Sequence, residues 1–217
     1  MIRCIFFDLD GTLIEFNLDV QGSRHEIFKV INSLVPSLEG LNEKHSTFSM
    51  LEKVRVSVDE SKYKEVRSLV YSICDAFEER ATEQTKLRDD AINVLDFLRD
   101  SNRRIALFTN SGRKAVNKIL NRFDLRKYFD LVVTRDDVEL MKPSPKGIYL
   151  LLKALDSNPL ECAMVGDGII DIIPAKDAGV RVIVVSGGFN PISRLLEEKP
   201  DYVISTLKDL PKLIYSL

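Results

Sequence analysis

Ile2-Arg3-Cys4-Ile5-Phe6-Phe7-Asp8-Leu9-Asp10-Gly11-Thr12 opens the chain on an apolar run that stops at two acids and a glycine. Ile5, Phe6 and Phe7 read as a buried strand, since a short β-branched and aromatic run closed by a turn signal is strand-like. Asp8 and Asp10 then emerge two residues apart, where strand alternation puts both side chains on one side. Gly11 lets the chain turn sharply where a ligand could approach the backbone. At about 4 Å and an effective dielectric of ~20, two carboxylates repel by about 4 kcal/mol. The pair therefore implies a cation or a shared proton. Read alone, the same residues also fit a solvated Asp-x-Asp-Gly turn.

Working outward, short apolar strands alternate with helices. Strands are expected at 104–109 (RIALFT), 131–134 (LVVT), 162–166 (CAMVG), 180–185 (VRVIVV) and 202–204. Helices are expected at 87–101, 112–123, 145–155, 170–178 and 207–215. Strands apolar on both faces and separated by helices predict an α/β fold with a parallel sheet flanked by helices.

Residues 15–86 break that rhythm. A crossover needs only a dozen or more residues, so about 70 are surplus. Ile27, Val30, Ile31 and Leu34 form one helical stripe, and Val66, Leu69, Val70, Ile73 and Phe77 another. The stretch reads as a small all-helical domain inserted just after the Asp pair. His25 and His45 within it lack ligand spacing.

Bulk properties exclude several function classes. The 217 residues carry 31 basic and 33 acidic side chains, a net charge of −2. No basic excess points to nucleic acid and no long apolar run to a membrane span. The N-terminus is itself a core strand, unlike a signal peptide. Cys4, Cys74 and Cys162 have neither metal nor disulfide spacing and read as small buried hydrophobes in a reducing compartment. A cytoplasmic protein with no membrane or nucleic-acid partner is expected; oligomeric state is not readable.

Three more strand ends carry polar groups. Thr109-Asn110-Ser111-Gly112 precedes a helix, offering a hydroxyl and free N–H groups to an oxyanion, or simply an N-cap. Lys142 sits in Met141-Lys142-Pro143-Ser144-Pro145, a stiff loop entering a helix. Asp171 follows four residues after Asp167 in Gly166-Asp167-Gly168, sharing a face at a helix start. Asp8, Asp10, Asp167 and Asp171 face Lys142 as the sole cation among these motifs. A divalent ion held by oxygen would balance them, and ligands without His or Cys point to Mg²⁺ rather than zinc.

In this order the motifs resemble the haloacid dehalogenase superfamily of phosphohydrolases, nearest its phosphoglycolate phosphatase and β-phosphoglucomutase group. Ala175-Lys176-Asp177-Ala178-Gly179 is similar to that family's segment after the last motif. The resemblance implies a Rossmann-like core over 1–14 and 87–217 and a helical cap over 15–86. It further implies Asp8 as nucleophile and Asp10 as the acid and base that serves the leaving group and then water. Thr109 and Lys142 would bind the transferring phosphoryl group, with Gly11, Thr12 and Asn110 beside them. Mg²⁺ would be held by Asp8, the backbone carbonyl of Asp10, and Asp167, while Asp171 orients Lys142 or metal-bound water. Gly168 departs from the Ser frequent at that position.

The implied reaction is Mg²⁺-dependent hydrolysis of a small phosphorylated metabolite through an aspartyl-phosphate on Asp8. A phosphomutase of the β-phosphoglucomutase type is the alternative, followed by a non-catalytic phospho-ligand-binding or phospho-acceptor protein. The superfamily's dehalogenases lack the second Asp, so Asp10 argues against that chemistry.

Overall fold

In a computed structural model describing residues 1–15 and 17–217, the opening apolar run is strand β1 (Cys4–Phe7). It is followed by α1 (Val20–Leu34), α2 (Thr47–Ser57), α3 (Glu60–Gln84), α4 (Ala91–Asp100), β2 (Arg104–Phe108), α5 (Arg113–Arg122) and β3 (Leu131–Val133). Then come α6 (Lys146–Ala154), β4 (Cys162–Gly166), α7 (Ile169–Asp177), β5 (Arg181–Val185), α8 (Ile192–Glu197), β6 (Tyr202–Ile204) and α9 (Leu210–Tyr215). The strands form one parallel sheet in the order β3-β2-β1-β4-β5-β6, the expected α/β architecture.

Strand alternation divides the core between the two faces of this sheet. Ile5, Phe7, Ile105, Leu107, Val165 and Ile183 pack on one face with Leu95 and Leu98 of α4 and Val116 of α5. Cys4, Phe6, Phe108, Met164, Val182 and Val184 pack on the other with Ile148 and Leu151 of α6 and Ile172 of α7. Each central strand is thus buried on both sides, which is why it reads as an unbroken apolar run. Cys4 and Cys162, far apart in sequence, are register partners on β1 and β4 and are both buried. Cys74 is only partly buried, contrary to expectation.

The strand order decides where a ligand can bind. β1 lies between β2 and β4, so the chain leaves the sheet centre in opposite directions from these neighbours. The C-terminal ends of β1 and β4 flank a topological switch point, where open parallel sheets place their ligands.

Some elements differ from the sequence reading. The helix expected at 87–101 starts only at Ala91, because Asp90 has a left-handed backbone (φ 62°) that interrupts the helical path. The helix expected at 207–215 is a 3₁₀ turn (Leu207–Asp209) followed by α9, with Pro211 in the first turn of α9 where no N–H is needed. α2 and α8 were not expected.

By its internal contacts the chain divides into two units, Met1–Phe16 with Thr85–Leu217, and Asn17–Gln84. Within the first unit the chain on either side of the insertion is paired: Ile14 bridges Leu87, Glu15 N donates to Lys86 O at 2.8 Å, and Thr85 Oγ1 to Glu15 O at 3.0 Å. The second unit is helical. Asp19 and Ser46 cap α1 and α2 by accepting from Gly22 N and Ser49 N, and Asp59 accepts from Lys62 N in the first turn of α3. Its buried side chains include Ile27, Ile31, Met50, Val54, Val66 and Val70; Leu69, counted in the apolar stripe of α3, is exposed. Phe16, inside the expected insertion, lies outside the described residues.

Candidate active site

The site is built on neighbouring strand ends. Asp8 N donates to Val165 O at 2.9 Å, extending the β1–β4 ladder one residue past β1 and pinning Asp8 beside the end of β4. Asp167 follows two residues after Val165, so both acids emerge at the same end of the sheet.

Lys142, from the segment between β3 and α6, is brought to them by Asn110. Lys142 N donates to Asn110 Oδ1 at 2.8 Å, and Asn110 Nδ2 donates to Lys142 O at 2.9 Å. The Asn110 side chain, expected beside substrate, is therefore taken up by the Lys142 peptide. Lys142 itself is 1% exposed, and its Nζ donates to Asp8 Oδ1 and Asp171 Oδ1, both at 2.6 Å, and to Phe108 O at 3.1 Å. All three ammonium protons thus have partners. Burial opposes the lysine's charge, but Asp171 and Asp8 outweigh it and hold the ammonium more basic than an ordinary lysine. The same burial pushes Asp8 up; Lys142 pulls it down, and the other three acids push it further up.

Asp10 stands apart from this ion cluster. Ser111 Oγ donates to Asp10 Oδ2 at 2.5 Å, and Thr109 Oγ1 in turn accepts from Ser111 N at 3.1 Å. Burial raises the Asp10 pKa, while the hydroxyls of Ser111 and Thr109 and the charges of Lys142 and Arg135 moderate the rise.

Asp167 lies in a narrow slot. Thr12 Oγ1 donates to its Oδ1 at 3.2 Å and Phe189 N to its Oδ2 at 2.6 Å. A Cβ on either Gly11 or Gly188 would collide with its carboxylate, so both backbones approach it as only glycine permits. Gly11 also has a φ of 86°, in the left-handed region. Burial and the charge of Asp171 push the Asp167 pKa up to about 6. Asp171 commits one oxygen to Lys142 and the other to Gly168 N at 3.0 Å.

Asp8, Asp167 and Asp171 each place one carboxylate oxygen so that all three lie within 4.8 Å of one another. Buried carboxylates converging this closely, with no His or Cys among them, suit a hard divalent cation. The donor chemistry and the fixed Asp167 slot both fit such an ion.

Sequence reading missed four contributors. Arg135, 1% exposed, adds a second cation where Lys142 was expected to be alone; its Nη1 donates to Asn110 O at 3.0 Å. Its signal was its position just after β3, at the same sheet end as the other site residues. Ser111, read only as a cap, holds Asp10. Gly188 and Phe189 were signalled only by the glycine pair that follows β5.

Buried acids and a lysine at the switch point of a parallel sheet define an α/β enzyme equipped to handle a phosphoryl group. The model of the haloacid dehalogenase-like hydrolase family matches residues 2–179, and the chain belongs to that family as an enzyme of the phosphatase type. It is 30% identical over 220 residues to the pyrophosphatase PpaX of Bacillus mycoides, covering 96% of this chain and 95% of that protein. Among solved structures it is similar to a hydrolase from Pseudomonas syringae, with a TM-score of 0.69, 21% identity and 99% of each chain covered. A predicted phosphoglycolate phosphatase from Haemophilus somnus has a TM-score of 0.67, at 22% identity and 98% coverage of each chain. No described helix is long and apolar enough to cross a membrane.

Proposed function

We propose that the enzyme hydrolyses small phosphorylated compounds in a Mg²⁺-dependent reaction through an aspartyl-phosphate on Asp8, the inserted unit serving as its cap. The observation that carries this reading is the Asp8 carboxylate buried against Lys142, with Asp10 held two residues on by Ser111. Asp8, the Asp10 carbonyl and Asp167 would hold the ion, which supplies positive charge to the transferring phosphoryl oxygens.

A lone pair of the Asp8 carboxylate attacks phosphorus while the bond from phosphorus to the leaving oxygen breaks. Asp10, whose burial raises its pKa, gives a proton to that oxygen. Asp10 then takes a proton from water as the water oxygen attacks the same phosphorus, releasing phosphate and restoring Asp8. Lys142 neutralises Asp8 before attack and the phosphoryl oxygens after it, with Asp171 orienting the ammonium throughout. Thr109 and the backbone around Gly11, Thr12 and Asn110 complete the phosphoryl subsite.

The pyrophosphatase name of the Bacillus relative makes inorganic pyrophosphate the first substrate to assay, phosphoglycolate and sugar phosphates the next. The test is phosphate release from this panel with Mg²⁺, running Asp8→Asn beside the unaltered enzyme. Release that vanishes in Asp8→Asn and in EDTA is expected. Undiminished release by Asp8→Asn would remove Asp8 as nucleophile.

A further inference from the structure

Arg88 lies where the chain rejoins the first unit after the insertion: its N donates to Leu13 O at 2.9 Å, next to the Ile14–Leu87 bridge. Its guanidinium reaches two loops at once. Nη1 donates to Gly11 O, and Nη2 donates to Ser186 O at 2.9 Å. Gly11 follows Asp10 after β1, whereas Ser186 follows β5, so these carbonyls come from loops remote in sequence. They belong to the two segments that enclose the Asp167 carboxylate. On one side Gly11 itself presses against it; on the other, two residues past Ser186, Gly188 does the same and Phe189 N donates to Asp167 Oδ2.

We infer that Arg88 is a positioning residue for the divalent ion: its planar fork ties together the two walls of the slot holding Asp167. The inference rests on the metal role of Asp167 proposed above. Arginine suits the task because it offers several donors in a fixed plane and keeps its charge, whereas lysine presents one ammonium point. What the bridge sets is the width of the slot, and with it the position of the Asp167 oxygens relative to Asp8. Groups that hold a ligand in this way typically contribute about 10–100-fold to metal affinity.

The experiment is calorimetric titration of the full chain with Mg²⁺ in the absence of substrate, for the unaltered protein, Arg88→Met and Arg88→Lys. Arg88→Lys keeps the charge but not the planar fork, and a circular dichroism melt of each variant checks that it folds. The expected result is Mg²⁺ affinity about 10–100-fold weaker in Arg88→Met and intermediate in Arg88→Lys. In turnover assays the Mg²⁺ concentration for half-activity should rise more than kcat at saturating Mg²⁺ falls. A folded Arg88→Met with unchanged affinity overturns the inference, as does an Arg88→Lys that binds like the unaltered protein while Arg88→Met is weakened, since charge alone would then suffice. An unaltered protein that binds no Mg²⁺ would instead refute the metal reading on which the inference rests.

Discussion

The ion pairs along the helices of the helical unit and the buried cluster at the site of the α/β unit use charge in opposite ways. In the helical unit, ion pairs along a single helix stay wet: Lys64 and Glu60 meet at 3.2 Å with 63% and 71% of their side chains exposed, and Arg55–Glu52 and Lys62–Glu65 are similar neighbours. In the α/β unit, Lys142, Asp8 and Asp171 meet at comparable distances but are almost wholly buried and come from the segment between β3 and α6, the end of β1 and the first turn of α7. A pair in water gains little, because solvent screens it and two flexible side chains must be ordered. A buried cluster must be complete, because any member left alone remains a desolvated charge. Distance alone therefore does not separate a functional ion pair from a solvated one; burial and the sequence separation of the partners do.

That contrast can be tested by deletion, beginning with the largest effect. Asp10→Asn should slow turnover on the order of 10²–10⁴-fold, as expected for a lost general acid, measured as phosphate release at saturating substrate. A loss smaller than tenfold would remove Asp10 from the proton transfer. Lys142→Met should cost about 3–5 kcal/mol in urea unfolding, by leaving Asp8 and Asp171 facing one another uncompensated. Stability equal to that of the unaltered protein would show that the buried cluster is no more consequential than a surface pair.

Gly188→Ala sharpens the comparison without removing any charge. Its methyl group would press on Asp167, so a loss of about 1–3 kcal/mol from overpacking is expected, together with weaker Mg²⁺ binding by calorimetry. Unchanged stability and metal affinity would mean that the Asp167 slot yields easily. At the low end, Lys64→Ala should move the unfolding free energy by less than about 0.5 kcal/mol, since it breaks only an exposed pair. A larger loss would mean that the helical unit relies on its charges more than their exposure implies.

Much of the α/β unit was legible from its residues. β1, β2, β4 and β5 read as unbroken apolar runs because each is buried on both faces, and a signal that strong survives without any knowledge of neighbours. The helical unit was less legible. α2 spreads its apolar residues around the helix rather than along one stripe and α8 is only six residues long, so neither shows a clear helical period. In α3 the period was right but the stripe too generous, since Leu69 faces solvent. At the site, Asp8, Asp10, Asp167 and Lys142 stood out because each sits in a turn or loop among glycines or prolines beyond an apolar strand, and Asp171 because it stands four residues after Asp167 at a helix start. Ser111, Arg135 and Arg88 did not, because nothing in their immediate neighbours distinguishes a capping serine or a surface arginine from one aimed inward.

By itself the sequence determined most of the elements of the α/β unit, the alternation that buries the sheet and the set of acids beyond the strands. These follow from local chemistry: apolar periodicity, turn residues and charge. Only the tertiary structure decided that β1 lies beside β4, that Asn110 clamps the Lys142 peptide, and that Lys142 lies between Asp8 and Asp171. It also decided that Arg88 reaches two loops whose carbonyls are 175 positions apart, Gly11 and Ser186. Parallel strand pairing carries no local mark of which strand is the neighbour, because the hydrogen-bonding edge of every buried strand is the same backbone. The partners of a buried charge are set by that pairing, so they exist only once the sheet has formed.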